Sequence, residues 1–163
     1  MAYTLQAFIG DAAVMGTAVP NAAVVVPLPQ GMAMIPLSRT VRDAYNIPSL
    51  PLMHGEVVVP ENIAAIAMGL AQAGKVAYVE AEFFGGDGTQ ASTTWDVDGV
   101  VSSPLVDPNA INFALRFLGV TVGDYHDEFD ALGLGRHRQT ECWEQPTKSD
   151  PTPRRQKGRQ RQP

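Results

Sequence analysis

Between Lys75 and Ser103, apolar and polar side chains alternate with a period of two, the signature of β-strands. Ala77, Val79, Ala81 and Phe83 fall on one side of the first strand, and Tyr78, Glu80, Glu82 and Phe84 on the other. The aliphatic side is expected to face the core. The side with two carboxylates is expected to face water or a ligand. Gly85-Gly86-Asp87-Gly88 interrupts the strand, because glycine admits positive φ and packs no side chain. A β-branched run over 89–96 follows, and Asp98-Gly99 signals a second hairpin into residues 99–103. A four-residue first loop would set Glu82 opposite Ala91, Glu80 opposite Thr93 and Tyr78 opposite Trp95. A slip of one residue would exchange the faces.

The same pattern extends over the rest of the chain. Residues 3–9 alternate well enough for a strand. Residues 22–28 form a near-continuous apolar run, as in a strand covered on both sides, although Pro27 argues against a central position at that end. Residues 32–37 answer it after a Pro29-Gln30-Gly31 turn. Ser38 caps a helix over 39–45. Pro60 opens a helix over 60–73 whose apolar stripe is Ile63, Ile66, Ala67 and Leu70. Asp107 and Pro108 start a helix over 107–118, and an acidic segment makes a last helix over 124–132. Strands cluster and helices cluster, which predicts an α+β fold: a mostly antiparallel sheet with the helices packed on one face.

Composition separates a body from a tail. The 163 residues are 45% hydrophobic and 18% charged, which suits one folded domain over 1–145. Residues 146–163 lack aliphatic and aromatic side chains and are expected to be disordered. They carry Lys148, Arg154, Arg155, Lys157, Arg159 and Arg161 against Asp150, a charge of +5. The six basic and sixteen acidic residues of the body give it −10. Such a body attracts a basic protein partner and repels nucleic acid, leaving the tail only weak, salt-sensitive contact with it. No apolar run is long enough to span a bilayer, so no membrane partner is expected. No cationic segment precedes the first apolar residues, and Cys142 is the single cysteine. A cytoplasmic location without a secretory leader is the expectation.

Glu80 and Glu82, two apart on a strand, would stand about 6–7 Å apart at Cα, a spacing that suits a shared cation or an acid–base pair. The competing reading is a solvated sheet face. The glycine loop lacks both the dinucleotide-binding and the P-loop patterns. Asp96 and Asp98 resemble part of a calcium loop, but the register places Leu105 where its last ligand belongs. His126 beside Asp127 and Asp130 does not have the spacing of a metal motif. No nucleophile elbow is present. No metal, cofactor or catalytic residue is therefore expected. Arg136 and Arg138 either complement a helix end or grip an anion or the acidic strand of a partner.

The run Glu80-Ala81-Glu82-Phe83-Phe84-Gly85-Gly86-Asp87-Gly88-Thr89-Gln90, followed by Trp95, resembles a stretch in small uncharacterised bacterial proteins, and the run 129–137 is similar to their ends. The resemblance covers most of residues 1–145 and implies no activity. The leading expectation is a non-enzymatic, immunity-type or inhibitor-like module. It would bind its partner through Glu80, Glu82, Asp87, Asp96, Asp98, Arg136 and Arg138. The alternatives are a metal-dependent hydrolase using Glu80 and Glu82 with His126 or His137, and a structural homo-oligomeric subunit that pairs through a sheet edge.

Overall fold

Leu5 to Gly10 form an unbroken buried run, and a strand buried from end to end belongs in the interior of a sheet. The computed structural model, which describes residues 2–85 and 87–145, places it there. Strand β1 (Ala2–Asp11) pairs antiparallel with β3 (Met32–Pro36) on one side and β4 (Val76–Phe84) on the other. Outside them lie β2 (Val26–Pro27), β5 (Asp87–Asp96) and β6 (Gly99–Val106). The six-stranded order is β2-β3-β1-β4-β5-β6, every pair antiparallel. With its helices this is the expected α+β class. The basic tail over 146–163 lies outside the described residues.

Each central strand has a core on both sides. Leu5, Ala7 and Ile9 of β1 and Ala77, Val79 and Ala81 of β4 pack with Ile111, Ala114 and Leu115 of helix α4 (Ala110–Phe117) and with Leu132, Leu134 and Trp143. On the other side, Phe8, Ile35, Val76, Tyr78 and Trp95 pack beneath α1 (Ala12–Met15), α2 (Arg39–Tyr45) and α3 (Glu61–Ala71), which contribute Met15, Val41, Ile63, Ala67 and Leu70. Each fully buried leucine or isoleucine contributes roughly 1.5–3 kcal/mol. The helices thus cover both faces of the sheet, not one as expected. The alternation in β4 suggested a one-sided strand because Tyr78 and Glu80 are polar, yet both are buried.

Turn chemistry sets the other differences. Strand pairing begins at Phe84–Asp87, so Glu82 faces Thr89, Glu80 faces Ala91 and Tyr78 faces Thr93. The register differs by two residues from that of a four-residue loop, which leaves every side chain on its expected side. Gly88 makes the close pairing possible: a Cβ there would overlap the Glu82 carbonyl. The strand expected over 22–28 is reduced to two residues, with Ala22 left-handed at φ 70° and Pro27 unable to donate to a ladder. Asp107 accepts a hydrogen bond from the Asn109 N–H (2.8 Å), which makes a turn and delays α4 to Ala110. Asp127 caps a single helical turn, α5 (Glu128–Ala131), in place of a helix from 124.

Candidate functional site

Glu80 is fully enclosed in the sheet face that sequence patterning assigns to water or a ligand. Its carboxylate accepts from the Tyr78 hydroxyl (2.6 Å), the Leu52 N–H (3.1 Å) and the Met53 N–H (2.9 Å). Gln6, also buried, donates to the Tyr78 hydroxyl (2.9 Å) and the Pro48 carbonyl (3.0 Å), and accepts from the Leu50 N–H (3.2 Å). Gln6 and Glu80 are cross-strand partners in the β1–β4 pairing. Together they bind the backbone of residues 47–59, a proline-rich strap between α2 and α3. The strap turns at Leu50, a buried residue in the left-handed region at φ 45°. Burial pushes the Glu80 pKa above the ordinary carboxylate value, against the three donors that pull it down. Burial and the neighbouring Glu80 charge hold the Tyr78 hydroxyl far above its usual range. This is a structural anchor with no open face to solvent, and its carboxylate is not available to a partner.

The other candidate residues do not converge. Glu82, one pleat further along, is half-exposed, and its Oε1 meets the Nε2 of His54 at 3.5 Å. A shallow cavity of about 410 Å³ adjoins His54 and is lined by Pro48, Ser49, Pro51, Glu56 and Pro60. Asp87 is exposed at the start of β5 and Asp96 is at its end. Nine residues of extended chain put these two about 30 Å apart. Asp96 accepts from the Asp98 N–H (2.8 Å) in the β5–β6 turn. Arg136 lies over the Trp143 ring, and the backbone carbonyl of Arg138 accepts from the Thr4 N–H (2.8 Å). His137 packs edge-on against Trp143, and His126 lines a cavity with Arg116 and Glu128 beside α4. Both histidines therefore stand across the sheet from Glu80. Among the described residues, no three His, Cys, Asp or Glu side chains come together to hold a metal ion, and no helix is long and apolar enough to cross a membrane.

An unusual surface lies at the far edge of the sheet. Val97, Val100, Val101, Leu105 and Val106 are 38% to 63% exposed, on or beside β6. No charged residue occurs between Gly99 and Val106. Acids bracket the strand: Asp96 and Asp98 before it and Asp107 after it. Among the described residues, none of the three is in an ion pair. The doubled apolar pairs Val100-Val101 and Leu105-Val106 break the period of two and are a sequence signal of this surface. Gln6, alone among Leu5, Ala7 and Phe8, was the signal of the buried anchor. No protein-family model, curated protein or solved structure matches the chain.

Proposed function

We propose that this protein is a non-catalytic binding module, inhibitor-like or immunity-type, that docks a basic protein on the valine ridge of β6. One observation carries the reading: an uncharged edge strand with exposed aliphatic side chains along its length, in a body of charge −10. Several exposed aliphatic side chains on one edge strand mark an interaction site more strongly than isolated ones do. The acidic body steers a basic partner toward it, and the ridge supplies the contact that holds it. Of the candidate acids, Asp96 and Asp98 belong to this surface. A reducing, cytoplasmic setting fits the single free thiol of Cys142.

The test is retention of host proteins on immobilised wild-type protein and on the double variant Val100→Glu/Val106→Glu. The added carboxylates raise the negative charge, so attraction by charge alone would strengthen. Docking on the ridge predicts the reverse. A basic protein should be held by the wild type at low salt, released at high salt and lost from a double variant that melts like the wild type. No retained basic protein, or retention unaffected by the double variant, overturns the reading.

A further inference from the structure

The geometry points to a particular occupant for this ridge: a short apolar segment of the partner with a Lys or Arg at each end. The inference rests on the docking reading above and adds the chemistry that recognises the partner. β6 spans eight residues, about 25 Å of extended chain. Its two ends are acidic and its middle is neutral and aliphatic. A segment with cationic ends and an apolar centre complements that order of charge.

A second copy of this chain fits poorly. In a fully overlapped antiparallel pairing of two β6 strands, Asp98 of each copy would face Asp107 of the other, placing like charges together at both ends of the contact. A long, flat added strand fits poorly as well. Between Ser92 and Trp95 of β5 the register shifts twice, and β6 carries the extra residues. Pro104, also in β6, has no N–H to offer. Bulges and proline roughen an edge and resist a continuous ladder. Side chains on the ridge, rather than its backbone, therefore carry the contact.

The experiment titrates labelled full-length protein with a synthetic peptide of alternating valine and threonine closed by a lysine pair at each end. A control peptide replaces the lysines with glutamates. Shifts in the amide signals of residues 97–106 report binding. The lysine peptide should bind about fivefold to tenfold more tightly than the glutamate peptide at low salt, in line with several exposed charge pairs. The preference should shrink to about twofold or less in Asp96→Asn/Asp98→Asn/Asp107→Asn, and at high salt, where exposed charges are screened. Equal binding of both peptides overturns the assignment of charged ends and leaves ridge docking standing. Absence of binding by the lysine peptide overturns the assignment of the occupant, while host-protein retention decides the docking reading separately. A dimer in sedimentation that strengthens in the Asp→Asn triple variant makes the second copy the occupant and overturns the proposal.

Discussion

Glu80 accepts three hydrogen bonds in full enclosure, so removing its side chain strands three donors at once. Glu80→Ala should cost about 3–5 kcal/mol, read as a fall in the urea midpoint at unchanged slope. Glu80→Gln keeps the volume and one acceptor and should cost less, about 1–2 kcal/mol. The two variants also separate charge from shape. Burial raises the Glu80 pKa in the folded chain, so the folded state binds that proton more tightly than the unfolded chain does. The stability from this group is complete below the ordinary carboxylate value and is lost as pH rises through the raised one. Glu128 has the opposite sign. Arg116 Nε and a second guanidinium nitrogen donate to its carboxylate at 2.9 and 3.2 Å and lower its pKa. Its contribution is present above the ordinary value and is lost as pH falls through the lowered one. In melts from about pH 3 to pH 7, the wild type should lose Tm relative to Glu80→Gln as pH rises through the Glu80 interval. Relative to Glu128→Gln, it should lose Tm as pH falls through the Glu128 interval.

The strap over 47–59 shows how an element without regular structure is fixed. Its backbone N–H groups at Leu50, Leu52 and Met53 are received by side chains of β1 and β4. These bonds hold Leu50 in a left-handed conformation that costs roughly 1–2 kcal/mol for a residue of its kind. Gln6→Leu removes the acceptor for Leu50. Amide exchange at Leu50, Leu52 and Met53 should then accelerate while the β1–β4 amides stay slow, because the loss is local. Equal acceleration in both would mean that the strap unfolds only with the sheet. The β4–β5 hairpin is fixed from the other direction. Gly88→Ala drives a Cβ into the Glu82 carbonyl and should cost about 2–4 kcal/mol in chemical denaturation. The three strands and two turns of this meander were legible in the sequence, since alternation and glycine turns are local signals, although β5 begins two residues earlier and β6 ends three residues later than expected. The cover on both sides of β4 was not legible, because Tyr78 and Glu80 read as polar until their partners, distant in sequence, are known. The meeting of His54 with Glu82 left no local signal either. The aliphatic pairs on β6 were visible, but their exposure follows only from β6 being the last strand of the sheet.

At the scale of the molecule, one sheet separates two cores, and the central strands contribute alternate side chains to each. Loss of either core strips β1 and β4 of half their burial, so the two should unfold together. The sequence contains two tryptophans, and the fold places one in each core: Trp95 beneath α3 and Trp143 on the α4 side. Trp95→Phe and Trp143→Phe therefore yield two proteins, each with one fluorophore reporting on one side. If the shared strands couple the cores, then within either variant its remaining fluorophore and the far-ultraviolet circular dichroism should give coincident urea transitions. Core variants sharpen the comparison. Ile63→Ala empties space on the Trp95 side and Leu115→Ala on the Trp143 side, each costing about 2–5 kcal/mol. Each should shift the signal from the opposite tryptophan as far as its own. A midpoint that moves on one side alone would show that the layers are independent, and that the sheet acts as a partition between them.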